Sequence, residues 1–126
     1  MVVNNCGGLP LYDLATVHVL VKQGQVDRAN DRVNRNLLSL GWGTATLRAF
    51  LLGLKTEHYH GSYKDQEAYA GTVVVDVDAY KMCFDEDGCC EGEPAEHSTY
   101  FVKIAIVLRA TGDRVAVVSI HLDGQP

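Results

Sequence analysis

The sequence has no long hydrophobic run, because none of its apolar stretches approaches the roughly 20 residues that span a bilayer. Its first ten residues, MVVNNCGGLP, lack the basic start and the apolar stretch of a secretory signal peptide. Phosphate-binding motifs of the GxxxxGK[ST] and GxGxxG types are absent, as are GxSxG and HExxH. We therefore expect a cytoplasmic protein without membrane association, outside the enzyme classes that depend on these motifs.

Positive charge is scarce as well. The chain has 11 Lys and Arg residues against 16 Asp and Glu, a formal net charge of −5. Such a balance disfavours polynucleotide binding, because phosphate contacts need clustered Lys and Arg. However, six of the acids lie between Asp85 and Glu96, and the rest of the chain holds ten acids and eleven bases. The acidity therefore belongs to one segment, and the remainder is nearly neutral.

The first half of the chain predicts helices. At 126 residues with 47% hydrophobic residues, the whole chain, 1–126, has room for one domain with one core. Apolar residues at helical spacing, with caps and glycine stops, predict three helices within about 13–54. They run from Asp13 to Gly24, from about Asp27 to Leu40, and from Thr44 to Leu54. In the second helix, Arg28, Arg32 and Arg35 would share one face.

The second half predicts a sheet within about 71–122, after a polar loop over 55–70. Alternating apolar residues predict strands that start after Gly71, at Thr99 and at Arg114, with a turn at 110–113. In the last strand, period two would place Val115, Val117, Ser119 and His121 on one face. The residues at 84–98 form an acidic insertion loop between the first two strands. The order of elements indicates an α+β fold, with N-terminal helices packed on a small antiparallel sheet.

Histidine is the residue type best suited to proton transfer here, since its free pKa lies near 6.5. His58 and His60 lie in the polar segment, and His121 lies near the end of the last strand. Metal-independent RNA cleavage needs a base for the 2′-hydroxyl, an acid for the departing 5′-oxygen and a cation for the phosphorane. His60 and His121, with Lys103 or Arg109, match that requirement, and no cofactor is expected.

Tyrosines are the candidates for binding the bases of single-stranded RNA, which proteins hold by stacking. The candidates are Tyr59, Tyr63, Tyr80 and Tyr100. Each is also compatible with packing at the edge of the core, with its hydroxyl group outward.

The four cysteines, Cys6, Cys83, Cys89 and Cys90, are expected to be reduced thiols in a cytoplasmic protein. An alternative is a zinc site formed by Cys83, Cys89, Cys90 and His97, although the spacing lacks the usual CxxC unit. A redox-sensitive pair of adjacent thiols is a further alternative. The reduced thiols are the interpretation we adopt, with no metal site.

Several short strings, in order along most of the chain, resemble one known family. The strings are LYDLATVHVLVKQGQV, RNLLSLGW, LRAFLLGL, LKTEHYHGS, VDAY, TYFVKIAIV and VAVVSIHLD. Together they resemble the motility quorum-sensing regulator (MqsR) toxins, ribosome-independent mRNA interferases with a RelE-like α+β fold. The resemblance implies a toxin of a type II toxin–antitoxin module whose partners are single-stranded mRNA and a cognate antitoxin.

The family's active-site positions are occupied by different residues in this chain. The family's tyrosine and lysine of the LKTEHYHGS segment fall on His60 and Gly61, and its last-strand lysine falls on His121. Its glutamine falls on Val77, or on Asp76 in the neighbouring register. Its strand tyrosine falls on Tyr100, or on Phe101 without a gap. Histidine thus stands in two places where the family uses other side chains.

We therefore predict an endoribonuclease that cleaves single-stranded mRNA without metal. His60 and His121 are the predicted acid–base groups, with Lys103 and Tyr100 beside them. The predicted substrate-binding residues are His58, Tyr63, Asp76, Tyr80 and Arg109. An alternative is a catalytically inactive relative that binds an antitoxin or another protein through its acidic loop. A small metal-binding regulator is a third hypothesis.

Overall fold

A computed structural model of the chain describes residues 2–3, 9–85, 88–89 and 99–123, with side chains described for 9–84 and 99–123. Within these ranges, three helices pack on one face of a mixed sheet. The helices are α1 (Leu14–Lys22), α2 (Asp31–Leu40) and α3 (Thr44–Gly53), with a 3-10 turn at Thr56–His58. The strands are β1 (Val2–Val3), β2 (Val26–Arg28), β3 (Tyr59–Ala68), β4 (Val73–Asp85), β5 (Gly88–Cys89), β6 (Thr99–Arg109) and β7 (Gly112–Leu122). The predicted α+β fold is confirmed.

The strand order across the sheet is β1-β3-β4-β6-β7-β2, and β5 pairs with β4 outside this order. Neighbouring strands are antiparallel except β2, which runs parallel to β7. Two predictions are wrong here. Most of the predicted polar loop 55–70 is strand β3, and the predicted start of the second helix is strand β2. The second helix begins only at Asp31, because the Asn30 side chain accepts a 2.9 Å hydrogen bond from the backbone N–H of Val33 and caps it.

The main core lies between the helices and the sheet. Each helix buries one apolar stripe, for example Val17 and Val21 of α1, against Tyr80 and Met82 of β4 and their neighbours on β6 and β7. A second and smaller cluster is buried on the opposite face of the sheet, and it contains mainly small residues. Its members are Ala29, Ala68, Val77, Ala105, Ala116 and Val118.

The sheet curls around this second cluster. The backbone N–H of Tyr69, just after β3, donates a 2.6 Å hydrogen bond to the carbonyl of Ala29, just after β2. Because β3 and β2 lie toward opposite edges of the sheet, this bond brings the two edges together. We call the enclosed side, opposite the helices, the concave face. A narrow curl accommodates alanine and valine, which explains the small residues of the cluster.

A β-bulge in β7 reverses part of a predicted pattern. Lys103 of β6 pairs with Ser119, but the next residue, Ile104, pairs with Val117, so Val118 is an extra residue. Val117 therefore belongs to the helix-side core, whereas Ser119 and His121 lie on the concave face. The prediction that Val115, Val117, Ser119 and His121 share one face is wrong, because strict alternation does not survive a bulge.

Candidate functional site

Several of the predicted site residues meet on the concave face around the ring of Phe101. The His60 ring lies edge-on to Phe101, with centroids 5.4 Å apart and planes at 77°. The His121 ring stacks on Phe101, also at 5.4 Å, with planes at 20°. The Lys103 ammonium lies 6.0 Å from the same ring and 4.3 Å from the ring of Tyr63. We call these five residues the Phe101 cluster.

Strand pairing explains why these side chains meet. Phe101 lies directly opposite His121 in the β6–β7 pair. His60 belongs to β3, which is separated from β6 by β4. On this face β4 presents the fully buried Ala79, paired with Gly61, and Lys81, which lies opposite Phe101 and forms a 3.2 Å ion pair with Asp123. Since Gly61 and Ala79 have no long side chain, groups from β3 and β6 reach each other above them. His60 is the extra residue of a bulge, because Tyr59 pairs with Tyr80 and Gly61 with Ala79.

The imidazole of His121 is oriented by the backbone. Its Nδ1 lies 2.8 Å from the carbonyl oxygen of Leu122, which can only accept a hydrogen bond. In the neutral ring Nδ1 therefore carries the proton, and Nε2 has the free lone pair. This tautomer suits a general base. His60, in contrast, has an exposed side chain whose ring nitrogens form no hydrogen bond within the described residues.

Lys103 supplies a positive charge that is partly shielded from water. Burial lowers the pKa of its ammonium, and the nearby positive charge of Arg32 lowers it further. Its ammonium lies over the face of Tyr63, in the geometry of a cation–π contact. The Phe101 cluster therefore combines two imidazoles with one desolvated cation, the set of groups that proton transfer at a phosphodiester requires.

Tyr80 and Tyr100 lie on the helix side and not at this cluster. Tyr80 is only 1% exposed, and Tyr100 packs against Trp42 with centroids 4.6 Å apart. Burial raises the pKa of both phenols, with the Asp78 charge adding to the effect at Tyr80. The prediction that they orient or bind the nucleotide is not compatible with this position, because period two puts them on the face opposite Phe101.

Asp76 and His58 are also separate from the cluster. Asp76 alternates with Val77, and its carboxylate accepts a 3.1 Å hydrogen bond from the backbone N–H of Asp65. His58 belongs to the turn after α3, where its Nδ1 accepts a 2.9 Å hydrogen bond from the N–H of Lys55. Burial lowers the pKa of the His58 imidazole. Both side chains have local structural roles in the described part of the chain.

Arg109 lies at the far end of β6, where its guanidinium is 3.8 Å from the centroid of the Tyr69 ring. The predicted arginine face is also divided. Arg28 lies in β2 and donates hydrogen bonds to Thr44 and Asn34, whereas Arg32 and Arg35 lie in α2. Arg32 is near Lys103, whereas Arg28 and Arg109 are near the β6–β7 turn.

Sequence reasoning treated Phe101 only as a second choice to Tyr100, although it is the centre of the cluster. The sequence contains one signal for it, because Phe101 shares strand parity with Lys103. Its direct pairing with His121 is visible only in the structure. The contribution of Arg32 had no comparable signal, since it depends on how α2 lies against β7, where the Asn36 side chain donates to the Ile120 carbonyl.

Cys83 is disulfide-bonded, so the prediction of reduced thiols is wrong for this residue. The side chains of Cys6, Cys89, Cys90 and His97, and the acidic segment 86–98 apart from the backbone of 88–89, lie outside the described residues. Among the side chains that are described, no group of three His, Cys, Asp or Glu is placed to hold a metal ion.

Comparisons with protein-family models, curated proteins and solved structures found no match for this chain. In the described part of the chain, no helix is both long and apolar enough to cross a membrane.

Proposed function

We propose that this protein is an endoribonuclease that cleaves single-stranded RNA without a metal ion, using the Phe101 cluster. The observation that carries the proposal is the placement of two imidazoles against one ring. His60 and His121 each lie 5.4 Å from Phe101, so they are no farther apart than twice that distance. Two titratable groups held this way can act on opposite sides of one phosphodiester.

In the proposed reaction His121 is the base and His60 the acid. Nε2 of His121 takes the proton of the 2′-hydroxyl, whose oxygen then bonds to the adjacent phosphorus. The bond from phosphorus to the 5′-oxygen breaks, and His60 gives that oxygen a proton. The products are a 2′,3′-cyclic phosphate and a free 5′-hydroxyl. The Lys103 ammonium stabilises the extra negative charge of the phosphorane.

The positions that the MqsR resemblance assigns to the active site support this proposal. His60, Phe101 and His121 make ring contacts on the concave face, and Val77 belongs to the buried cluster of that face. Gly61 pairs with Ala79 beneath them. The two alternative matches, Asp76 and Tyr100, lie on the other side. With Val77 and Phe101 as the matches, all five positions lie on one face, as the residues of one active site should.

The biological role follows from the same resemblance. We propose a toxin of a type II toxin–antitoxin module, with a RelE-like fold, acting in the cytoplasm on single-stranded mRNA and held by a cognate antitoxin. The competing hypothesis, an inactive relative that binds a protein through its acidic loop, differs in its phenotype. Expression of an active interferase arrests growth, whereas expression of an inactive binding protein does not.

The direct test is cleavage of single-stranded RNA by the purified full chain in excess EDTA. We expect wild type to cut, and His121→Ala and His60→Ala each to lose about 100-fold or more in rate. His18→Gln is the matched control, because His18 lies in α1 on the opposite side of the sheet. The 2′,3′-cyclic phosphate end should be detectable on the product. Cleavage that persists in the double His60→Ala, His121→Ala variant would contradict the proposed mechanism.

A further inference from the structure

A second feature lies at the other end of β6, where an open groove of about 960 Å³ borders the β6–β7 turn. Its lining includes Asp27 and Arg28 of β2, Tyr69, Arg109, Thr111 and Arg114. The volume is at the upper end of the range of ligand sites, which leaves room for a nucleotide and exceeds what one phosphate needs. The groove is separate from the Phe101 cluster.

Positive charge dominates this groove. Asp27 is its one acidic lining residue, and both oxygens of that carboxylate are already bound. Oδ1 accepts hydrogen bonds from Nε and Nη2 of Arg114, at 3.2 and 2.9 Å, and Oδ2 accepts from the Tyr69 hydroxyl at 2.8 Å. Among the described residues, Arg28 and Arg109 form no ion pair. In the described part of the chain, the Arg109 guanidinium over Tyr69 is therefore left without an anion, and Arg28 adds a second positive charge at the edge of the groove.

The groove holds Arg114 and Arg109 in place before any ligand arrives. Arg114 is fixed by its two bonds to Asp27, whereas the exposed Arg28 guanidinium donates at 3.2 Å to Thr44 and at 3.5 Å to Asn34, which lie outside the groove lining. The Arg109 guanidinium rests on the Tyr69 ring at 3.8 Å. A guanidinium stacked on one side has its other flat face available, and its N–H groups match phosphate oxygens in pairs.

The distance between the groove and the Phe101 cluster indicates that a ligand contacting both would be a polymer. Arg109 lies eight residues after Phe101 on the same strand, which corresponds to about 26 Å at ~3.3 Å per residue. A single nucleotide cannot span that distance, and a strand that contacts both ends has to run outside the buried cluster of Val77, Ala105 and Ala116, which fills the concave face between them. Arginine planes stack on bases as well as binding phosphate, and single-strand binders combine these two contacts.

We infer that this groove binds a phosphate-bearing nucleotide of single-stranded RNA, several nucleotides away from the Phe101 cluster. The inference rests on the proposed function for the choice of RNA as the polymer. The binding itself depends on Arg28 and Arg109 and needs neither histidine. Arg109 is thus a substrate-binding residue, as its charge suggested, but at a second site.

The test measures binding of a labelled 2′-O-methyl oligoribonucleotide, which lacks the 2′-hydroxyl and so is not cut. A length of about 12 nucleotides lies within the range of known single-strand sites. Fluorescence anisotropy of the full chain across a salt series compares wild type with Arg109→Ala, Arg109→Lys and Arg28→Ala. Arg35→Ala is the control for loss of one charge, since Arg35 is an exposed residue of α2 outside the groove. Circular dichroism verifies that each variant is folded.

We expect Arg109→Ala to weaken binding about tenfold. The slope of log affinity against log salt concentration should fall by the amount that corresponds to about one phosphate contact. Arg28→Ala should act in the same direction, Arg109→Lys should restore part of the loss, and Arg35→Ala should leave the affinity unchanged. A dinucleotide is too short to reach both sites, and a dinucleotide that binds at the Phe101 cluster should be insensitive to Arg109→Ala.

Equal affinity of wild type and Arg109→Ala for the long oligomer overturns the inference, as does an equal loss in Arg35→Ala. Binding of inorganic phosphate that depends on Arg109, with the oligomer unaffected, also overturns it in favour of a free phosphate site. Failure of the proposed function looks different. In that case RNA is not cut in EDTA, while the Arg109-dependent binding of the oligomer remains.

Discussion

The backbone N–H of Tyr69 donates a 2.6 Å hydrogen bond to the carbonyl of Ala29 and thereby joins two distant edges of the sheet. The side chain of Tyr69 extends the same contact, because its hydroxyl donates to Asp27 and its ring carries Arg109. Tyr69 thus closes the curl of the concave face and also lines the groove beside the β6–β7 turn. Stability and the ligand binding that we propose for the groove are therefore linked at Tyr69.

Tyr69→Phe removes the hydroxyl and keeps the ring, so it isolates the hydrogen bond to Asp27. We expect the free energy of unfolding to fall by about 1–2 kcal/mol, since Asp27 keeps its bonds to Arg114. Urea denaturation measures the change. Tyr63→Phe is the matched control, because the Tyr63 hydroxyl forms no hydrogen bond within the described residues, and its effect should stay below about 0.5 kcal/mol. Equal losses in both variants would contradict the assignment.

Alkaline pH gives a second test of Tyr69. Burial, and then the hydrogen bond to Asp27, raise the pKa of its phenol to about 12. The unfolded chain loses this proton near pH 10, whereas the folded chain keeps it, so the unfolding free energy falls as pH rises between about 10 and 12. Tyr69→Phe lacks this contribution. The stability difference between wild type and Tyr69→Phe should therefore shrink with pH in that window, and a constant difference would contradict the raised pKa.

Asp78 is a second structural carboxylate. It is fully buried and accepts hydrogen bonds from the N–H groups of Leu11 and Tyr12, both at 2.9 Å, and from the Ser62 hydroxyl at 2.8 Å. Asp78→Ala leaves these donors without their acceptor, and we expect a loss of about 2–4 kcal/mol in urea denaturation. Asp76→Ala, two residues away, removes a single bond to an exposed N–H and should cost less than about 1 kcal/mol.

The disulfide at Cys83 can be tested by counting the free thiols of the chain. A bond within the chain consumes two thiols, so at most two of the four cysteines should react with a thiol reagent in denaturant without reductant. After reduction all four should react. Peptide mapping should find the Cys83 peptide linked to another cysteine peptide of the same chain. Four reactive thiols before reduction would contradict the disulfide and restore the prediction of reduced cysteines.

Sequence periodicity predicted the long regular elements well and failed where a strand is irregular. α1 and β6 lie where the apolar spacing placed them, because each buries one continuous face. β3 was predicted as a loop because its residues are mostly polar, and its bulges, at His60 and between Tyr63 and Gln66, interrupt the alternation that indicates a strand. Bulges depend on pairing with the neighbouring strand, which a local pattern does not contain.

The same reason explains which of the predicted site residues lie together. His60, His121, Tyr63 and Lys103 were chosen for their chemistry, and they meet at Phe101. Tyr80 and Tyr100 were chosen for the same kind of reason and lie on the other face. Residue type indicates which chemistry is available, but register decides which side chains share a surface. The bulge at Val118 even changes the face of His121 relative to Val117.

Lys103→Met tests whether the charged Lys103 ammonium lowers the stability of the folded chain. Methionine keeps an apolar stem without the charge, and we expect RNA cleavage to fall about 100-fold with the structure intact. Burial and Arg32 make the pKa of Lys103 lower in the folded chain than its ordinary value of 10.5. Between the lowered pKa of the folded chain and the ordinary pKa of the unfolded chain, the unfolded chain binds more protons. The unfolding free energy of wild type therefore rises with pH until the ordinary pKa is reached.

Lys103→Met lacks this contribution. The stability of wild type relative to the variant should therefore increase as pH is raised from neutral to about 10. Urea denaturation of both proteins across this range measures the difference, in which the ionisation of tyrosines common to both cancels. A difference that is constant with pH, or that falls, would mean that the folded chain does not disfavour the ammonium. In that case the loss of cleavage in Lys103→Met would have to be explained without a desolvated cation.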